Sequence, residues 1–225
     1  DKETGITKNA DGSTCDVQGS YSIGLNCDVF ADAVKKKAFA HLERTTREGN
    51  YTIQSGFFGT GPINPMLSKG GYPEAAQKTI TQTAFPSWLY PVTQGATTIW
   101  ERWDALREDG TCNTGEDDGT GGMVSFNHFS YGAVGDFLYR RIAGIENLSG
   151  GGKEVQIAPM VGGGLTQARG VVHTAYGKVT SEWWIKDGKF TLHVDIPCST
   201  TAYVKLPGGE EKKLGSGSYT YSENI

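Results

Sequence analysis

The sequence contains no apolar run approaching the ~20 residues that a membrane-spanning helix needs, so no membrane partner is expected. It also lacks an excess of basic residues. The formal net charge is −4, which argues against a nucleic-acid or anionic-membrane surface and leaves room only for a local basic patch. Four cysteines (Cys15, Cys27, Cys112 and Cys198) form no CxxC pair, and zinc-ribbon and redox-motif readings fail with it. An even count permits one or two disulfides without demanding them. No glycine cluster is followed by Lys-Ser/Thr or opens a helix after a strand, so neither a phosphate loop nor a dinucleotide fingerprint is supported. A G-x-S-x-G nucleophile elbow is missing as well. No cofactor is expected. The chain starts at Asp1, without a signal-peptide pattern, which suggests a processed start or a piece of a longer chain.

Glycine and aromatic residues are what the chain has in quantity. Thirty-two of 225 residues are glycine, and aromatics make up 11% within a hydrophobic share of 37%. That is enough to build a core in one large domain or two small ones. The glycines gather at Gly150–Gly152, Gly162–Gly164 and Gly208–Gly209, in short clusters that mark turns between compact elements. Asn50-Tyr-Thr52 and Asn147-Leu-Ser149 fit the N-glycosylation pattern. Such triplets arise often by chance. With the cysteines they lean weakly toward a secreted protein, and localisation stays open.

The periodicity changes near residue 146. Before it, Phe30, Val34, Ala38 and Leu42 recur at helical spacing and predict an amphipathic helix ending near Gly49. Pro73-Glu74 opens a second helix carrying Ala76, Ile80 and Ala84. A third runs from Phe129 to Gly144, and a shorter one covers Val17 to Leu25. The segments Gln54–Pro65 and Phe85–Thr98 read as long aromatic connections. After residue 150 the period becomes two. Phe190, Leu192, Val194 and Ile196 alternate with polar residues as a half-buried strand, preceded by Val179–Ile185 across an Asp187-Gly188 hairpin signal. Val155 with Ile157, Ala202 to Leu206, and Tyr219 to Tyr221 give further strands, at the spacing of a small antiparallel sandwich.

Chemistry concentrates in two segments. Phe85–Asp104 holds Trp88, Trp100 and Trp103 with the ionisable triplet Glu101, Arg102 and Asp104. Tryptophan stacks on the apolar face of a sugar ring, while carboxylates and amides bind its hydroxyls. A carboxylate among aromatics has its charged form destabilised unless an arginine compensates. Glu101 therefore reads either as a general base or as half of a structural ion pair with Arg102, and composition alone favours the ion pair. In Ser125-Phe-Asn-His-Phe-Ser-Tyr-Gly132, His128 sits just before a helix. It reads as a donor to a substrate hydroxyl, as a proton carrier, or as a satisfied core histidine. His41, His173 and His193 lie on helix or strand patterns and read as structural or exposed. The acidic loop around Glu116-Asp117-Asp118-Gly119 does not fit an EF-hand, so a solvated loop rather than a metal site is expected.

Gly95-Ala-Thr-Thr-Ile-Trp-Glu-Arg-Trp-Asp104 followed by Ser125–Gly132 resembles the α-L-rhamnosidases of glycoside hydrolase family 78. The likeness continues through Gly135–Tyr139, Ala143–Ile145, Ile157–Pro159, Gly162–Leu165, Tyr176–Lys178 and Ser181–Trp183. Upstream it includes Gly56–Thr60 and Pro86–Tyr90. The resemblance implies a mixed, multidomain chain: residues 1–145 as the C-terminal portion of an all-α (α/α)6 catalytic barrel, and residues 146–225 as a small antiparallel β-sandwich. It implies removal of terminal α-L-rhamnose from glycosides or polysaccharides with inversion. Glu101 would be the general base and His128 a rhamnose contact, with Trp88, Trp100 and Trp103 as candidate walls of the subsite.

Two departures stand out. The family's general acid, in an acidic motif with arginine and tryptophan nearby, has no counterpart here, so an N-terminal remainder of the same enzyme is the expected partner. The loop between Glu101 and His128 is longer than usual. A non-catalytic carbohydrate-binding or structural module is the competing reading, with Trp183, Trp184 and Tyr176 as a flat sugar platform.

Overall fold

The computed structural model describes residues 1–116, 122 and 124–225. Asp117, Asp118 and Gly119 of the acidic loop lie outside the described residues. The chain divides into two compact units, Asp1–Val134 and Gly135–Ile225.

The first unit is helical. It contains α1 (Gln18–Asn26), α2 (Asp32–Glu48), α3 (Phe57–Lys69), α4 (Pro73–Thr81) and the short α5 (Leu89–Thr93), followed by a 3-10 turn at Ser130–Ala133. α2 follows its sequence pattern closely. Val34, Ala38, Leu42 and Thr46 are buried along one stripe. Asp32 in the first turn and Arg47 in the last complement the helix dipole. The pairs Arg44–Glu48 (2.8 Å) and Arg47–Glu43 (3.0 Å) add support at i,i+4. The predicted Phe30 and Ala84 both fall outside their helices.

α3 occupies most of the segment read from sequence as a connection. Its Gly59, Gly61, Pro62 and Pro65 look like loop punctuation, yet Thr60, Ile63, Asn64, Met66 and Leu67 are buried around it. Burial overrides weak local propensity here. The glycines also serve packing: a Cβ on Gly59 would lie 1.9 Å from Ser55 Oγ and 3.1 Å from Gly19 Cα, so α1 and α3 approach with nothing between. Ser22 Oγ donates to Gly59 O at 2.8 Å across this contact. Buried Gln18 ties α1 to its neighbours, donating to Thr46 Oγ1 (3.0 Å) and accepting from Gln54 N–H (2.8 Å).

At the edge of the first unit, Tyr21 Oη donates to Asp16 at 2.5 Å, and Arg44 reaches both Asp16 oxygens at 2.6 and 2.7 Å. The Tyr21 hydroxyl, and after it Arg44, hold the Asp16 carboxyl below the usual range against the opposing effect of burial. Burial, and then Asp16, push the Tyr21 phenol up to about 12. A raised phenol means that the folded state keeps its proton more tightly than the unfolded chain, whose tyrosines ionise near about pH 10. This contribution to stability is complete below about pH 10 and is lost as pH rises through 12. Urea midpoints measured from pH 9 to 12 are expected to fall steeply in the native chain and less steeply in Tyr21→Phe. Equal slopes would exclude this role.

The predicted helix from Phe129 to Gly144 is broken into three pieces: the 3-10 turn, α6 (Val134–Phe137), and a π turn at Leu138–Ile142. In the second unit, the strands are β1 (Ile145–Asn147), β2 (Glu154–Ile157), β3 (Gln167–Thr174), β4 (Gly177–Lys186), β5 (Lys189–Ile196), β6 (Thr201–Lys205), β7 (Glu211–Leu214) and β8 (Gly217–Asn224). They form two four-stranded sheets, ordered β1-β2-β6-β7 and β3-β4-β5-β8. β5 buries Phe190, Leu192, Val194 and Ile196, the alternation the sequence shows. The β4–β5 turn places Asp187 at φ 52° and Gly188 at φ 71°, the double left-handed conformation of a type I′ hairpin.

The all-antiparallel expectation needs correcting. β2 and β6 pair in parallel, Val155 opposite Ala202 and Ile157 opposite Val204. Between them the chain leaves to build β3, β4 and β5 of the other sheet and returns in the same direction, as a crossover requires.

Candidate active site

Two loop segments, read separately in the sequence, run alongside each other in opposite directions. Glu101 N–H donates to Ser125 O at 2.9 Å, and His128 N–H donates to Ile99 O at 2.8 Å. Thr98 Oγ1 adds a bond to Phe126 O. The Ser125 N–H returns to the Glu101 side chain, meeting Oε2 at 2.7 Å. One carboxylate oxygen of Glu101 is thus fixed by backbone, and the position of the side chain follows from this pairing.

Glu101 lines an open cavity of about 380 Å³ together with Phe57, Phe85, Arg102, Trp103, Asp104 and Tyr131. This lies within the roughly 300–1,000 Å³ of small-ligand pockets. Trp103 stacks on Tyr131, with centroids 3.9 Å apart and planes 16° apart, and Phe57 tilts against Tyr131 at 5.1 Å. Arg102 Nε stands 3.6 Å from Asp104 Oδ1. Asn113 Nδ2 donates to Asp104 Oδ2 at 2.7 Å. The arginine beside the carboxylates therefore pairs with Asp104, in place of the Glu101–Arg102 pair considered from sequence. Burial pushes the Tyr131 phenol up, opposed by Arg102 and reinforced by Asp104 and Glu101, so it stays a neutral hydroxyl among charges.

The sequence-predicted residues divide. Glu101 and Trp103 line the cavity; Trp88, Trp100 and His128 are not among its lining residues. Trp88 is buried behind the wall, its Nε1 donating to Tyr131 O at 2.9 Å and its ring edge-on to Trp103. Trp100 is buried against Phe126, edge-on at 5.3 Å. His128 reaches the cavity wall through Phe57, on which it stacks at 4.9 Å. Phe57, Phe85 and Tyr131 were not singled out from sequence. Phe57 and Phe85 lie in the aromatic segments read as connections, and Tyr131 lies in the Ser125–Gly132 motif.

Adjacent strand residues point to opposite faces, and this removes Trp183 from the alternative sugar platform. Trp183 is fully buried, whereas Trp184 is 37% exposed. Among the described residues no group of three or more His, Cys, Asp or Glu side chains is arranged to hold a metal ion. No described helix is long and apolar enough to cross a membrane. The four cysteines are unpaired.

Residues 3–142 match the family model for the bacterial α-L-rhamnosidase six-hairpin glycosidase domain, and residues 144–220 match that for the bacterial α-L-rhamnosidase C-terminal domain. The helical unit followed by sheets, with its carboxylate and aromatic cavity, is thus of the glycoside hydrolase class. The chain belongs to the bacterial α-L-rhamnosidase family. An α-L-rhamnosidase of Streptomyces avermitilis is 37% identical over 88% of this chain and 19% of its own length. Another, from Formosa agariphila, is 34% identical over 92% of this chain and 22% of its own. The crystal structure of native α-L-rhamnosidase from Aspergillus terreus superposes with a TM-score of 0.87 at 34% identity, covering 96% of this chain and 25% of that one. The chain spans about a fifth of the length of the curated relatives it matches.

Proposed function

We propose that these residues carry the base side of the active site of an inverting α-L-rhamnosidase, acting on terminal α-L-rhamnose of glycosides or polysaccharides. In this reading residues 1–145 are the later part of an (α/α)6 barrel and residues 146–225 a β-sandwich. The observation that carries the proposal is a glutamate held by a backbone amide and lining an aromatic cavity. Its pinned oxygen orients the carboxylate. The other oxygen takes the proton of a water as that water attacks the anomeric carbon. Inversion needs a second carboxyl, roughly 6.5–9.5 Å away, to protonate the leaving oxygen. Asp104 accepts from Asn113 Nδ2 through Oδ2 and has Arg102 Nε 3.6 Å from Oδ1, the arrangement of a structural carboxylate. As the family resemblance implies, the general acid is assigned to a segment outside these 225 residues.

Trp103, Tyr131 and Phe57 form an apolar wall suited to the methyl group of a deoxy-sugar and exclude bulk water from the attack face. Trp88 supports this wall from behind, and Trp100 packs against Phe126. His128 contributes a contact to a sugar hydroxyl. The chain by itself is expected to release no nitrophenol from an aryl α-L-rhamnoside, while a longer chain that adds the acid-bearing segment does. Measurable turnover by residues 1–225 alone would overturn the division of the site.

A further inference from the structure

The side chain of His128 is held on three sides. Its ring stacks on Phe57 (4.9 Å between centroids, 19° between planes) and on Phe129 (5.2 Å, 16°). The Ser130 N–H donates to its Nδ1 at 3.3 Å. The backbone beneath is fixed by the bond from His128 N–H to Ile99 O at 2.8 Å. Within these residues Phe129 is 86% exposed, and its ring contact is the one with His128.

We infer that Phe57 and Phe129 are positioning residues that, with the Ser130 amide, hold His128 as the Nε2–H tautomer and fix where that donor stands. The inference rests on the reading of His128 as a sugar contact for its functional meaning, but not for its geometry. A nitrogen that accepts an N–H carries no proton of its own. The single proton of the uncharged ring is then on Nε2, which takes no hydrogen bond among the described residues. Two parallel rings oppose rotation of the imidazole about its Cβ–Cγ bond, the motion that would put Cδ2 in the place of Nδ1 and Cε1 in the place of Nε2. The result is an oriented donor matched to a hydroxyl oxygen. A ligand offering only N–H or O–H donors there would find no acceptor.

The geometric claim is tested on the chain itself, without any activity. In imidazole ¹⁵N spectra at pH 8, His128 is expected to show a pyridine-type Nδ1 and a pyrrole-type Nε2. Phe129→Leu and Phe57→Leu, which keep bulk but remove the planar face, should move both signals toward the averaged values of a free imidazole. Phe129→Tyr should restore them. A pyrrole-type Nδ1, or leucine variants with native signals and native folds, overturns the inference. The functional part is read in a catalytically competent rhamnosidase chain that includes these residues. Phe129→Leu should raise KM about tenfold with kcat changed less than about threefold, and should have no further effect in a His128→Ala background. Additive effects of the two substitutions would overturn action through His128. If the spectra behave as expected and His128→Ala leaves KM unchanged, the positioning stands and the sugar-contact reading is what fails.

Discussion

Glu101→Gln, introduced into a competent rhamnosidase chain containing these residues, is expected to lower kcat about a thousandfold, with KM for an aryl rhamnoside changing less than about threefold. The magnitude follows from the roughly 10²–10⁴-fold worth of a positioned general base, and about a thousandfold corresponds to about 4 kcal/mol. Glutamine is the informative replacement because it preserves the local structure. Its side-chain carbonyl can accept the Ser125 N–H as Glu101 Oε2 does at 2.7 Å, so the paired segments need not rearrange. What it cannot do is take a proton from water. A loss confined to kcat identifies an interaction made in the transition state, whereas a rise in KM alone would identify a binding residue. The measurement is steady-state turnover of a nitrophenyl rhamnoside together with binding of L-rhamnose by calorimetry. Near-native kcat would remove Glu101 from the base role. Unchanged kcat with lost rhamnose binding would reassign it to substrate recognition.

The value of that experiment depends on how the site is built, and only part of the construction can be read along the chain. Glu101 and His128 each stand in a dense local motif, and both were visible there. Their neighbourhood comes from the bonds joining Ile99 to His128 and Glu101 to Ser125, across a loop whose path no local pattern specifies. The same distinction governs the fold. α2 and β5 were legible because period and burial coincide, Val34–Ala38–Leu42 in one and Phe190–Leu192–Val194 in the other. α3 was hidden because Gly59 and Pro62 carry loop-like propensity, and only contact with α1 supplies the reason for a helix. The parallel pairing of β2 with β6 was hidden because two short apolar alternations carry no information on relative direction. Among the tryptophans, composition gave the wall of the cavity as a group. It could not separate Trp103, which faces the cavity, from Trp88 behind it, since that depends on the Trp88 Nε1 bond to Tyr131 O.

Trp183 shows how one side chain can join helical and sheet structure within the second unit, and its removal is expected to cost the most stability. The π turn at Leu138–Ile142 ends with carbonyls that have no partner inside the helix. Side chains from β4 meet them: Trp183 Nε1 donates to Ile142 O at 2.7 Å, and Ser181 Oγ donates to Ala143 O at 2.7 Å. Both donors lie on the same face of β4 because they are two residues apart. The chain can turn sharply after them because Gly144 adopts φ 83°, where a Cβ would stand 2.3 Å from Pro159 N. Trp183 is also fully buried beside Phe190, with ring centroids 5.8 Å apart. Trp183→Ala is therefore expected to destabilise this unit by about 3–5 kcal/mol, the range for deleting a buried aromatic. Trp183→Phe keeps most of the volume and leaves Ile142 O unpaired, which costs about 1–3 kcal/mol. Urea unfolding, followed by amide exchange in β4 and β5, separates the two contributions. Equal losses for the two variants would assign the effect to the hydrogen bond. A phenylalanine variant as stable as the native chain would show that the Ile142 carbonyl finds another donor, and would leave packing as the whole of the tryptophan's contribution.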